Sequence, residues 1–360
     1  MFHKYDKIIK MSMKKRATGI IVEYNPLPNG HLYHLKETKK IAPNDCIIAI
    51  MSGNFVQRGM PSIIDKWTKT KYALESGIDL VIELPTPFVL QSAETFARTA
   101  IHHLNLMKVH QIVYGSESLV KPTLSKLDHS KLKLGHSYAK AKNIHLLQSN
   151  EILGAYYEKF SEIYQIKTHR ILRTNKYHDL NIDSPISSAS AIRNAYNQNI
   201  PFQHATSIPL NKLSTYHLED YYPLIRYSIL AEREKINQYL LVDEGIENLL
   251  IKLAYKHDNV NDFLESAVSK RYTRSRIQRT LMHILLKTPR DLELPDEIRV
   301  LGMNQMGKAY LNQIKKETKI VSFKNYQLKD YEDKATFIYG LPYQKENQLL
   351  KLEVGPPIII

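Results

Sequence analysis

Short apolar runs alternate with segments of helical spacing from Ala17 to about residue 200, and this alternation limits the folds open to the chain. Ala17–Tyr24 (ATGIIVEY), Cys46–Ser52, Asp79–Leu84 and His110–Tyr114 are rich in Ile and Val and are apolar along most of their length. Strands of that kind are covered on both faces, which is the signature of a parallel sheet. Gly30–Ile41, Lys66–Ser76, Gln91–Met107 and Asn150–Phe160 place apolar residues at helical spacing, and Ile163–Ile171 is expected to be a further strand. Gly77 and Pro85 punctuate a helix end and a strand end. The fold class is therefore α/β, with helices on both faces of a parallel sheet. No apolar run approaches the roughly 20 residues that cross a bilayer, so no membrane partner is expected.

Beyond residue 200 the pattern changes. Ser214–Leu230, Ile236–Leu241, Gly245–Tyr255, Asn259–Val268 and Ser275–Leu286 read as amphipathic helices. Lys319–Phe323 is a candidate strand, and a helix is expected near Lys329–Tyr339 ahead of an apolar tail. The expected organisation is a disordered leader over 1–16, an α/β domain over 17–200 and a mainly α-helical domain over 201–360. Met11 and Met13 are alternative starts within the leader.

The chain carries 50 Lys and Arg against 36 Asp and Glu, a net charge of +14. Most of the excess lies in the first 200 residues, and such a balance points to a polyanionic partner. The single cysteine, Cys46, excludes an internal disulfide and a thiolate zinc cluster. It sits in an apolar run, so it reads as a small buried hydrophobe in a protein of the reducing cytoplasm, with no disulfide-linked partner. His102 and His103 are adjacent on one helix and cannot both face a metal, and no metal ligand is assigned.

Two segments carry phosphate-binding chemistry. Tyr24-Asn-Pro-Leu-Pro-Asn-Gly-His31-Leu-Tyr-His34 leaves the first strand and opens a helix. Ligands of open α/β sheets bind beyond the carboxyl ends of strands, and a helix N-terminus offers free N–H groups and partial positive charge. Gly30 permits close backbone approach, and His31 stands at the helix entry. Pro-Asn-Gly is equally an ordinary turn. The second segment, Ser187-Ser188-Ala-Ser190-Ala-Ile192-Arg193, caps a late helix with hydroxyls and places an arginine just inside it. It could clamp a phosphate chain from the opposite side. A basic segment, Lys270, Arg271, Arg274, Arg276 and Arg279 with Tyr272 interleaved, contains no acid and reads as an RNA phosphate track, the alternative being a solvated helix face. Lys131–Lys142, with His136 and Tyr138, is either a basic linker or a second RNA contact.

Taken together, these words resemble a known family. Gly30-His31 after the first strand and Ser188-x-Ser190-x-Ile192-Arg193 at a late helix resemble the signature of the HIGH-type nucleotidyltransferase superfamily, whose Rossmann-like sheet the alternation fits. Glu23-Tyr-Asn-Pro26, Asn29-Gly-His-Leu-Tyr-His34, Met51-Ser-Gly-Asn-Phe-Val-Gln-Arg-Gly59, Asp79-Leu-Val-Ile-Glu-Leu-Pro85, Tyr114-Gly-Ser-Glu117 and Lys270–Arg279 extend the likeness to residues 17–340. In that combination they resemble the bacterial tRNA(Met) cytidine acetate ligases.

The resemblance implies an enzyme that activates acetate with ATP as acetyl-adenylate and acetylates N4 of the wobble cytidine of elongator tRNA(Met). ATP, with Mg²⁺ bridging its phosphates, would be held by the loop Ile21, Val22, Glu23, Tyr24, Asn25, Pro26, Asn29, Gly30, His31 and His34. Gly115, Asn150, Arg170, Ser188 and Ser190 would add contacts, and His31 and Arg193 would be catalytic. Arg170 lies upstream of His178-Asp179. Lys270, Arg271, Arg274, Arg276 and Arg279 would bind the tRNA. One departure stands out: the superfamily pattern is His-x-Gly-His, and Pro28 occupies the first histidine position. Proline has neither an imidazole nor a backbone N–H, which opens the alternative of a catalytically weakened tRNA-binding protein. A small-molecule adenylyltransferase is the other alternative. The Ser52–Met60 segment, with Gly53 and Gly59, is either a water-excluding lid or a rigid loop.

Overall fold

The computed structural model describes residues 15–121, 128, 130–131, 134, 141–143, 148–173, 182, 187–209, 211, 213 and 216–360. The expected strands form where the β-branched runs lie: β1 (Ala17–Val22), β2 (Cys46–Ser52), β5 (Leu80–Leu84), β6 (Gln111–Ser116) and β7 (Lys167–Leu172). A small antiparallel hairpin, β3 (Phe55–Val56) and β4 (Met60–Pro61), interrupts the series. Helices α1 (Asn29–Ile41), α2 (Lys66–Glu75), α3 (Thr86–Val89), α4 (Ala93–Leu106), α5 (Ser149–Ile163) and α6 (Ala189–Asn197) fill the crossovers. The seventh strand starts four residues later than expected, because α5 runs on to Ile163 and Gln165 takes a left-handed turn. The helix expected from Gln91 starts at Ala93, where Ser92 accepts the Thr95 N–H as its cap.

Side chains alternate between two cores. In β2, Ile47, Ala49 and Met51 face one core, whereas Cys46, Ile48 and Ile50 face the other. Helices α4 and α5 cover the second face with Phe96, Leu104, Tyr156 and Phe160. The first face meets α1, α2 and α6 through Leu35, Trp67, Leu74 and Ile192.

Residues after 200 do not form a separate unit. Helices α7 (Leu218–Ala231), α8 (Ile246–Lys256), α9 (Val260–Ala267) and α10 (Arg274–Leu285) make the expected helical layer, while Ile236–Gln238 is only a 3₁₀ turn. Their apolar faces share one continuous core with β1, β2 and the helices beside them. The chain then returns to the sheet as β8 (Ile298–Met303), α11 (Gln305–Ile314), β9 (Ile320–Val321), α12 (Lys329–Gly340), α13 (Glu346–Glu353) and β10 (Ile358–Ile359). The sheet order is β10-β8-β5-β2-β1-β6-β7, with β9 beside β8. All pairings from β5 to β7 are parallel, and β8 docks antiparallel on β5. The expected boundary at residue 200 is thus corrected: the second half supplies one edge of the sheet as well as the helical layer. The expected leader is corrected at its end, since the Arg16 carbonyl accepts the Cys46 N–H and Lys15 pairs with Gln313. Residues 1–14, His178, Asp179 and most of 131–142, including His136 and Tyr138, lie outside the described residues. No described helix is long and apolar enough to cross a membrane.

Candidate functional site

Strand order reverses at β1, which has β2 on one side and β6 on the other. Such a switch point leaves a crevice beyond the carboxyl ends of the strands. The crevice here is a cavity of about 1380 Å³. The ends of β1, β6 and β7, the N-termini of α1, α5 and α6, the β3–β4 hairpin and the start of α10 all line it.

The loop from β1 into α1 is held from below. Lys69 on α2 is buried, and its Nζ donates to the carbonyls of Glu23 (3.1 Å), Ser52 (2.8 Å) and Gly53 (2.6 Å). Burial lowers its pKa to about 7, against the pull of Glu23, Asp65 and Glu83. Glu23 lines the cavity and accepts the Gln57 N–H (2.7 Å) and the Ser52 hydroxyl (3.2 Å). The Asn25 side chain accepts the Ile63 N–H (2.8 Å). Tyr24, at φ 48° and buried, packs its ring 5.1 Å from that of His31. The Glu-Tyr-Asn word thus ties the loop to the hairpin at the cavity wall.

His31 and His34 stand one above the other on the first turns of α1, and both line the cavity. Nδ1 of His31 and Nε2 of His34 are sealed from solvent without a hydrogen-bond partner among the described residues. Burial, then Arg173, then the other histidine bring the His31 imidazole down to about 3. Burial and Arg173 outweigh a bond from His34 to the Val113 carbonyl and bring that ring to about 4. Both rings are therefore neutral in the free protein at physiological pH, acting as hydrogen-bonding groups rather than charges. The positive charge comes from arginines. On α6, Ser188 accepts the Ala191 N–H (2.9 Å) as N-cap, as expected. Arg193 bridges the Ser190 hydroxyl (3.0 Å) and the Asn25 carbonyl. The two phosphate-binding segments therefore meet, although 168 residues separate the partners.

Most of the remaining expected contacts lie at the same mouth, but not all. Gly115 and Asn150 line the cavity, with Asn150 Nδ2 on Glu117 (2.7 Å). Glu151 holds the turn after β6 by accepting the Ser116 hydroxyl and the Glu117 and Ser118 N–H groups. Pro26, Asn29 and Arg170 are not among the lining residues. Asn29 bonds the His204 carbonyl, and Arg170 is committed to Glu158 (2.6 Å) and the Tyr114 hydroxyl (2.8 Å). Arg173 lines the cavity instead. It follows the last residue of β7, so it reaches the mouth that Arg170, inside the strand beside Tyr114, does not. Arg58, also missed, lines the cavity and donates to Ser149 at the start of α5 (3.1 Å).

The hairpin is packed rather than lid-like: Phe55 and Val56 are buried, and Asn54 bonds Thr336. Gly59 has φ +76°, and a Cβ there would sit 2.3 Å from the backbone nitrogen of Arg279. Of the basic segment, Arg271, Arg276 and Arg279 line the cavity, whereas Lys270 and Arg274 are exposed outside it. The acids absent from that segment come from the α7–α8 connection, where Glu244 meets Arg271 (3.2 Å) and Asp243 meets Arg276 (2.5 Å).

Among the described residues no group of three His, Cys, Asp or Glu could hold a metal. The cavity carboxylates Glu23, Glu94 and Glu244 are engaged by Gln57, by Lys142 and Lys159, and by Arg271.

Comparison with known proteins agrees with this geometry. A family described as HIGH Nucleotidyl Transferase matches residues 15–353. The tRNA(Met) cytidine acetate ligase of Geobacillus sp. (strain WCH70) is 37% identical, covering 96% of this chain and 100% of the relative. That of Caldicellulosiruptor saccharolyticus is 36% identical, covering 94% and 97%. The crystal structure of Thermotoga maritima TmcAL bound with alpha-thio ATP superposes with a TM-score of 0.81 at 28% identity, covering 96% of this chain and 99% of that one.

Proposed function

The chain belongs to the tRNA(Met) cytidine acetate ligase family of HIGH nucleotidyltransferases, and from that premise we propose that the cavity joins acetate to a tRNA cytidine at the expense of ATP. The enzyme is an ATP-dependent ligase. The observation that carries the finer reading is the meeting of the β1–α1 loop and the first turn of α6, bridged by Arg193, at the sheet's switch point.

In the first step an acetate oxygen attacks the α-phosphorus of ATP, and the bond to the pyrophosphate oxygen breaks. Negative charge then grows on the leaving phosphates and on the α-phosphoryl oxygens. The helix-start amides, the neutral His31 and the cationic Arg193 and Arg173 meet that charge without reorganising. Ser188 and Ser190 hold the α6 end, and Gly115 and Asn150 border the opposite wall. In the second step the N4 amine of a splayed-out cytidine attacks the acetyl carbonyl. AMP leaves with the anhydride oxygen, and the amine loses a proton. A wobble base suits this chemistry, because a single-stranded loop gives up a base at modest unstacking cost. The rim cations Lys270, Arg271 and Arg274 would then follow the RNA phosphates, with Arg276 behind them. Mg²⁺ would arrive on the triphosphate itself, as it usually keeps several waters and takes few protein ligands.

The test is to incubate the protein with ATP, labelled acetate and elongator tRNA(Met). Label is expected in the tRNA as N4-acetylcytidine, and its absence at every enzyme level would overturn the reading. Pro28→His is expected to change the rate only a few-fold. Arginines rather than histidines supply the charge at the mouth. A gain approaching the ~100-fold contribution of a preorganised donor would show instead that the enzyme is weakened at this position.

A further inference from the structure

We propose that Arg279 is a ligand of the phosphate chain of ATP rather than of the tRNA, completing the site from the helical layer; this rests on the ligase reading above. Arg279 lies on the second turn of α10 and lines the same cavity as His31 and Arg193. Its situation differs from that of its neighbours in the basic segment. Arg271 has Glu244, Arg276 has Asp243, and Arg274 has the Asn261 side chain (3.3 Å). Arg279 has no ion pair or hydrogen-bond partner among the described residues, and its Nε is shut off from solvent. Burial and the nearby Arg276 make the charged form costly, lowering the guanidinium to about 10. A half-buried cation facing a cavity with no counter-charge is a site for an anion that the protein itself does not supply.

Position selects which anion. The backbone of Arg279 lies against Gly59. The next residue back along the hairpin, Arg58, donates to Ser149, which adjoins Asn150 and its partner Glu117 in the turn after β6. Arg279 is therefore connected to the strand-end wall of the cavity by a short run of direct contacts. The tRNA-sized anion meets the exposed rim instead, where Lys270, Arg271 and Arg274 stand. A guanidinium presents two parallel N–H groups to a phosphoryl group, a geometry that suits a dedicated phosphate ligand.

The experiment compares wild type, Arg279→Met and Arg279→Lys by three readouts. These are affinity for a non-hydrolysable ATP analogue, acetate-dependent ATP–pyrophosphate exchange without tRNA, and tRNA retention on filters. Arg279→Met is expected to weaken analogue binding or exchange by roughly 10- to 100-fold, the worth of a charge-assisted hydrogen bond. Its tRNA retention is expected to stay within about twofold, since the rim cations carry that term. Arg279→Lys, which keeps the charge but not the fork, is expected to show a smaller loss of the same kind, and it serves as the readout if the methionine variant does not fold. Unchanged analogue binding and exchange, or a loss confined to tRNA retention, would overturn the assignment. A wild-type protein that binds the analogue but shows no acetate-dependent exchange would sink the ligase reading alone, and the analogue affinities would still decide Arg279.

Discussion

Arg193→Met is expected to lower acetate-dependent ATP–pyrophosphate exchange by about 10²- to 10³-fold, the usual consequence of removing one preorganised donor from a site of developing charge. Two effects combine. The guanidinium is one of the cations at the mouth, and the histidines cannot replace its charge, because burial holds both neutral. It also ties the Asn25 carbonyl to Ser190, so its loss frees the loop from the helix cap it faces. Arg193→Lys separates the two: one ammonium can keep the charge but cannot span both partners in the same fork. An intermediate loss is expected for lysine, mostly in kcat, because a misplaced donor costs more in the transition state than in the ground state. Exchange within threefold of wild type in Arg193→Met would remove this residue from the chemistry.

The parts of this site that were legible in the sequence are those built by one stretch of chain. The β1–α1 turn and the Ser188 cap are local, and each forms as the residues predict. Their meeting through Arg193 is tertiary: the residues alone suggest a clamp from the opposite side but equally an ordinary capped helix, and the family resemblance pairs the two segments. Arg170 and Arg173 show the limit of reading by residue type. Three positions apart on one segment, they differ by whether the strand has ended, and a strand boundary is known from sequence only to within a few residues. The acids Asp243 and Glu244 were invisible as partners because they lie about thirty residues from the arginines they neutralise. Strand β8 was missed for a related reason. Ile298–Met303 is one six-residue run, and it becomes a strand by docking antiparallel on β5, more than 200 residues earlier.

That late return to the sheet sets the second large effect: Glu353→Leu is expected to destabilise the fold by about 3–5 kcal/mol, the cost of leaving buried charge without its partner. Glu353, at the end of α13, is fully buried, and its Oε1 accepts from Lys66 Nζ (2.8 Å) and from Arg299 (2.5 Å). Its other oxygen accepts the Thr336 hydroxyl (2.8 Å). Glu83 pairs with the same two cations, each at 2.7 Å. Burial pushes the Glu353 carboxyl up, but Lys66 and Arg299 more than reverse this and hold it below the ordinary range. Its stabilising contribution is therefore present above the unfolded carboxylate pKa and is lost as pH falls through the lower folded value. The measurement is a urea unfolding curve at pH 7. A lower midpoint with an unchanged slope is expected for Glu353→Leu, with partial recovery when Lys66→Met is added, because the second change removes the stranded cation. Additive losses in the double variant would mean that the pair is not coupled. The consequence reaches the active site through α2. Lys66 and Lys69 lie three residues apart on the same helix, and Lys69 donates to the carbonyls of Glu23, Ser52 and Gly53 beside the β1–α1 loop. A Glu353 variant that still folds is thus expected to lose ATP affinity as well as stability, although Glu353 itself does not line the cavity.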